Sequence, residues 1–172
     1  ATLVVLRRFL AETVARVIEQ YRATRFFGVP TMFVALLGSE KAKSCDMTSL
    51  KACRTNAAPL PVAVKKDFDR LIGREILIEG YGLTETSPLT HANPIEKAKA
   101  GSIGIPLTDT DAKVIDLKTG ADLSVGREGE LLLRGPQIMK GYWGNPEATE
   151  TALAGGWFHT GDVVRMDEEG YF

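Results

Sequence analysis

Two cysteines, Cys45 and Cys53, and two histidines, His91 and His159, are all that the 172 residues hold of either type. Two thiols are too few for a disulfide framework and read as small buried hydrophobes. Neither histidine has Cys or His neighbours at metal-ligand spacing, which argues against zinc. The longest apolar run, VPTMFVALLG at 29–38, falls well short of the roughly 20 residues needed to cross a bilayer, and it contains a proline. No stretch gathers lysines and arginines into a stripe, and with a formal net charge of -1 and a pI near 6.2 the chain offers nucleic acid no electrostatic handle. G-x-S-x-G and G-x-x-x-x-G-K-[ST] are both missing, which removes the hydrolase elbow and the P-loop. No charged segment followed by an apolar one and a small-residue cleavage site opens the chain, so the expected compartment is the cytoplasm.

What is present is the balance of a globular protein, 44% hydrophobic and 25% charged. Leu10, Val14, Val17, Ile18 and Tyr21 recur at helical spacing and predict an amphipathic helix over 10–23. RFFGVP predicts a short buried strand, and Pro30 a helix start. LKACRTNAAPLP reads as a strand and loop, 61–72 as a helix, and REILIEGYG as a further strand. This alternation predicts an α/β fold with a helix-covered parallel or mixed sheet, in which ligands bind beyond the carboxyl ends of the strands. After about residue 95 short β runs separated by Gly, Pro and Asp predict antiparallel β, drawn as a small β-barrel. NPEATETAL predicts one helix in this half, with Asn145 as N-cap and Pro146 in the first turn. The expected units are 1–97 and 98–172. A start at Ala1 and an end on the apolar Tyr171 and Phe172 suggest a piece of a longer chain.

Two dense motifs carry chemistry. In EGYGLTETSP, at 79–88, Gly80 and Gly82 flank Tyr81, so the backbone can turn sharply and a ligand can approach closely. The Tyr81 ring could stack on a planar base, Thr84 could donate to a phosphate oxygen, and Glu85 is a hard oxygen ligand of the kind Mg2+ takes beside phosphates. The same residues also suit an ordinary turn with a half-buried tyrosine and a Thr-Glu helix start, and alone they do not decide. In GGWFHTGD, at 155–162, Asp162 could accept from two neighbouring ribose hydroxyls, or be the aspartate of a plain turn.

FFGVPTMF, NAAPLP, EGYGLTETSP, GELLLRGPQIMKGYW and GWFHTGD occur together, in the order and near the spacing found in the adenylate-forming enzymes. From about residue 24 onward the chain resembles that family, which activates carboxylic acids with ATP and Mg2+ to acyl adenylates and mostly passes the acyl group to CoA. The resemblance implies that Tyr81 stacks on adenine, Thr84 contacts the α-phosphate, Glu85 holds Mg2+ and contributes to catalysis with Thr84, and Asp162 binds the ribose. It implies that Asn56, Ala57, Ala58, Pro59, Glu79, Gly80 and Gly82 line the nucleotide site, Asn56 standing where glycine is more usual. Phe27, Gly28 and Val29, with Gly82 and Leu83, would wall the acyl site.

The motif style is more like fatty-acyl-CoA synthetases than amino-acid-activating domains, which implies a medium- or long-chain fatty acid as substrate and ATP and CoA as co-substrates. The family's phosphate loop and its C-terminal lysine domain are not in this stretch, so the expected identity is the second α/β subdomain plus the following β subdomain of a larger enzyme. Alone it is expected to be inactive and to self-associate through exposed apolar surface, while the parent could touch membranes peripherally. The competing readings are an aryl- or amino-acid-activating ligase and a non-catalytic nucleotide-binding or scaffold module.

Overall fold

The computed structural model describes residues 2–172, in two compact units divided between Glu79 and Gly80. Helix α1 (Ala11–Tyr21) turns Val14, Ala15 and Ile18 inward and ends where Arg22 takes a left-handed conformation. Strand β1 (Arg25–Gly28) follows, and then α2 (Pro30–Gly38), opened by its proline as predicted. The one-turn α3 (Glu40–Lys43), capped by the Ser39 hydroxyl, has no counterpart in the sequence reading. Strand β2 (Ala52–Thr55), α4 (Val62–Ile72) and β3 (Leu77–Tyr81) complete the alternation.

β1, β2 and β3 run parallel, and β4 (His91–Ala92) and β5 (Ile105–Pro106) extend the sheet antiparallel, in the order β1-β2-β3-β4-β5. The mixed, helix-covered sheet is therefore present. In the first unit Phe33 packs edge-on to Phe26 and Phe68, with ring centroids 5.4 and 5.0 Å apart. Cys53 lies fully buried in this core, where burial pushes its thiol up to about 12, whereas Cys45 is only half-buried. Asp69, on α4, is buried, and its Oδ1 accepts the backbone N–H groups of Ile76 and Leu77, each at 2.9 Å. Its Oδ2 takes the ammonium of the equally buried Lys65. One carboxylate thus fixes where β3 begins relative to α4.

In the second unit β6 (Asp111–Ile115), β7 (Glu128–Arg134) and β8 (Phe158–Arg165) form a three-stranded antiparallel sheet. The predicted β-barrel is not found: among the described residues no strands close this sheet. The run around Ile105 that the barrel needed pairs with β4 instead, and GPQIMKGYW is a loop rather than a strand. Val114, Leu131, Leu133, Phe158 and Phe172 form the buried core. Trp157 lies under the cations of Lys113 and Arg134, 4.8 and 4.7 Å from its ring centre. Helix α5 (Pro146–Ala152) is capped as predicted, the Asn145 side chain accepting the Ala148 N–H at 3.1 Å. No helix among the described residues is long and apolar enough to cross a membrane.

Replacing Asp69 by alanine strands two buried N–H groups and leaves the buried Lys65 ammonium only the exposed Glu75 carboxylate, 3.7 Å away. We expect Asp69→Ala to lower stability by about 3–5 kcal/mol, read from urea unfolding midpoints; a loss below about 1 kcal/mol would show that the clamp does not fix β3.

Candidate functional site

The segment after β3 is closed by one glycine and one threonine. A Cβ built on Gly82 would lie 1.7 Å from the Pro88 carbonyl oxygen and 2.7 Å from Leu89 Cα, so only glycine lets the two stretches of backbone touch. Thr86 is fully buried beneath the turn. Its hydroxyl accepts the Leu83 N–H at 2.8 Å, and its proton lies between the carbonyls of Leu83 and Pro88, at 3.0 and 3.1 Å. The Thr90 N–H returns to the Tyr81 carbonyl at 2.9 Å. With its interior satisfied in this way, the short 3-10 turn Thr84–Thr86 presents Thr84 exposed and Glu85 half-exposed.

Asp162 reaches the same place through a distortion of β8. Leu132 pairs with His159 while Glu130 pairs with Val163, so Thr160, Gly161 and Asp162 together oppose Leu131 alone. This is a β-bulge, and Gly161, at φ +74°, supplies the left-handed residue it needs. The Gly161 N–H is held by Glu130 at 3.0 Å, and the Thr160 hydroxyl donates to the Leu131 carbonyl at 2.8 Å. The bulge leaves Asp162 exposed, with its Oδ2 accepting the Tyr81 hydroxyl. Burial, and then the bond to and charge of Asp162, push the Tyr81 phenol well above its ordinary value. Tyr81 therefore stays protonated and can only donate to that carboxylate.

Behind Tyr81 stands His91, its cross-strand neighbour on β4. The imidazole is fully buried between the rings of Tyr81 and Phe172, with centroids 6.0 and 4.9 Å away. Nδ1 meets the Thr90 hydroxyl at 3.1 Å, and Nε2 has no hydrogen-bond partner. Burial lowers its pKa to about 4, so the ring is neutral at ordinary pH.

Of the candidate residues, the second unit brings together Tyr81, Glu85 and Asp162, with Gly80, Gly82, Leu83 and Thr84 on the same turn. In the first unit Phe27 and Gly28 end β1 and Val29 follows it, while Asn56, Ala57, Ala58 and Pro59 follow β2. These strands are parallel, so both segments lie on one sheet edge. Phe27 is 64% exposed while its neighbour Phe26 fills the core. Ala57 takes the left-handed conformation, φ +73°, one residue after the position where the family's glycine is expected. Glu79 is buried, and Oε1 accepts the Leu60 N–H at 3.2 Å; burial raises its pKa, and this bond partly offsets the rise.

The donor set constrains a metal. Among the described residues no three His, Cys, Asp or Glu side chains gather at a cation. Glu85 is a lone hard carboxylate, and its Oε1 already accepts the Tyr142 hydroxyl at 2.9 Å. Such a residue fits a Mg2+ ion that keeps its waters and draws most of its ligands from substrate phosphates, and does not fit a protein cage. Sequence reasoning gave no role to Tyr142 or Thr86. Their signals were a tyrosine after Gly141 in a glycine-rich run and a second threonine in the motif, and neither singles out a residue.

Comparison with known proteins identifies the family. A family model described as AMP-binding enzyme matches residues 1–143, and the chain belongs to that family. It is 43% identical over 99% of its length to a long-chain-fatty-acid--CoA ligase of Bacillus subtilis, covering 30% of that protein. It is 42% identical over 99% of its length to the 4-coumarate--CoA ligase-like 6 protein of Oryza sativa subsp. japonica, covering 29% of it. Among solved structures, an anthranilate CoA ligase in complex with anthranoyl-AMP superposes with a TM-score of 0.87 at 29% identity, over 94% of this chain and 31% of the other. The chain thus spans about a third of the length of these proteins.

The buried imidazole makes stability depend on pH. Folding lowers the His91 pKa from 6.5 to about 4, so its contribution is fully present above pH 6.5 and is lost as pH falls toward 4. We expect the stability difference between pH 7.5 and pH 5 to shrink by about 2 kcal/mol in His91→Phe, from urea midpoints at the two pH values. An unchanged difference would mean that His91 takes up its proton without unfolding cost.

Proposed function

We propose that the protein containing this chain activates a fatty carboxylic acid with ATP, forming an acyl adenylate and then an acyl-CoA. The single observation that supports it best is the convergence of Tyr81, Glu85 and Asp162 from two distant motifs, in a chain of the AMP-binding family. In this reading the Tyr81 ring packs on adenine. Its hydroxyl bond orients Asp162, whose carboxylate accepts from the ribose hydroxyls. Thr84, exposed on the turn, donates to the α-phosphate. The family resemblance also assigns Gly80, Gly82, Glu79 and Asn56 to Pro59 to nucleotide binding, and Phe27, Gly28, Val29, Gly82 and Leu83 to binding of the acyl group.

The reaction joins a carboxylate oxygen to the α-phosphorus of ATP and releases pyrophosphate, so like-charge repulsion and in-line placement are the obstacles, and no protein nucleophile is required. Mg2+ held beside Glu85 would supply the neutralisation. What the chain itself contributes is position: a turn closed by Gly82 and Thr86, and a bulge that fixes Asp162. Residues 1–97 and 98–172 correspond in this reading to the second α/β subdomain and the following β subdomain of the parent enzyme. The remaining phosphate neutralisation would come from other parts of it, and the isolated chain would be inactive.

Fatty acids are preferred over aryl acids on the motif style and on the similarity to the Bacillus ligase, although the Oryza relative is nearly as similar. ATP-pyrophosphate exchange by the full-length protein across a panel of acids tests the reading. We expect exchange with medium- or long-chain fatty acids, and Asp162→Ala to reduce it on the order of 100-fold. Exchange with aryl or amino acids alone would overturn the substrate, and no exchange with any acid would overturn the activity.

A further inference from the structure

We propose that Tyr142 is a positioning residue for Glu85, and that the loop from Met139 to Asn145 is the device that holds this carboxylate in place. The inference rests on the role proposed above for Glu85.

Glu85 is tied to one loop at both ends of the residue. Its backbone carbonyl accepts the Met139 N–H at 2.7 Å, and its Oε1 accepts the Tyr142 hydroxyl at 2.9 Å. A single backbone bond would leave the carboxylate free to rotate about its side-chain torsions. The second bond, 57 residues away in sequence, selects one arrangement. A charge-assisted bond of this kind is about twice as strong as a neutral one, and it satisfies one oxygen while leaving Oε2 to a cation or a phosphate-bound water.

Tyr142 is itself fixed. Its N–H donates to the Thr149 hydroxyl at 2.9 Å, and that hydroxyl donates to the Asn145 carbonyl at 2.8 Å. Asn145 in turn caps α5. Gly141 takes φ +148°, and a Cβ there would lie 2.6 Å from Thr149 Cγ2, so the loop can lie on the helix only with glycine at this point. The loop is thus seated on α5 before it reaches Glu85. Tyr142 is exposed, and Trp143 beside it is wholly exposed, so neither ring is held there by burial in a core. An exposed phenol whose hydroxyl is aimed at a carboxylate serves that carboxylate rather than packing.

The test uses the full-length protein with Tyr142→Phe, Glu85→Gln and the double variant. The direct readout is binding of the Mn2+–ATP complex without any acid, followed by the electron-spin resonance of free Mn2+, with thermal midpoints and the Mg2+–ATP KM and kcat alongside. We expect Tyr142→Phe to weaken Mn2+–ATP binding about three- to tenfold, with a matching rise in KM and an unchanged thermal midpoint. In the Glu85→Gln background the same substitution should have no further effect, because Tyr142 acts through Glu85. Wild-type binding by Tyr142→Phe while Glu85→Gln is impaired overturns the positioning role and leaves the proposed function standing. Equal losses from Tyr142→Phe in both backgrounds overturn it too, since the ring would then act independently of Glu85. Full Mn2+–ATP binding by Glu85→Gln overturns the role of Glu85 and this inference with it.

Discussion

The close approach of Gly82 to the backbone of Pro88 and Leu89 is the contact on which the candidate site depends. It folds residues 81–90 back on themselves, so that the Thr90 N–H can return to the Tyr81 carbonyl and Thr86 can satisfy the interior of the turn. Any side chain at Gly82 would open that closure, and Thr84 and Glu85 would no longer be presented from a fixed base. A turn this tight cannot rely on a hydrophobic core for its shape; its backbone groups must be paired internally, and the Thr86 hydroxyl does most of that.

Around this turn the arrangement is one of carboxylates held by neutral donors. Asp162 is held by the Tyr81 hydroxyl and Glu85 by the Tyr142 hydroxyl. A phenol kept protonated fixes a carboxylate without cancelling its charge, whereas a lysine or arginine in either place would neutralise it. Each carboxylate is therefore oriented by a neutral hydroxyl, an arrangement suited to accepting ribose hydroxyls or facing a divalent cation. His91 serves the same end from beneath: buried and neutral, it supports the Tyr81 ring without placing a positive charge beside it.

The parts of this structure that local pattern controls were legible in the sequence. Pro30 and Pro146 mark helix starts, Asn145 caps α5, and the alternation of helices with apolar runs implied the mixed sheet. What depends on pairing between distant segments was not. Two-residue strands such as β4 and β5 carry no period-2 signal, so nothing local told Ile105 to join the sheet of β3 rather than close a barrel. In the HTGD stretch, a Gly-Asp pair is more commonly a turn, and the bulge that aims Asp162 is defined only by its register against β7. The two threonines of LTET look alike in sequence, yet one is wholly buried and structural while the other is exposed. The Tyr142 bond to Glu85 likewise has no local sequence signature.

The account turns on where an adenylate sits. The most direct measurement is a crystal structure of the full-length protein with a non-hydrolysable acyl-sulfamoyl adenosine. The account predicts adenine packed on the Tyr81 ring, both ribose hydroxyls within hydrogen-bond distance of Asp162, and the sulfamoyl group beside Thr84. An adenosine bound elsewhere, with Tyr81 and Asp162 untouched, would contradict it.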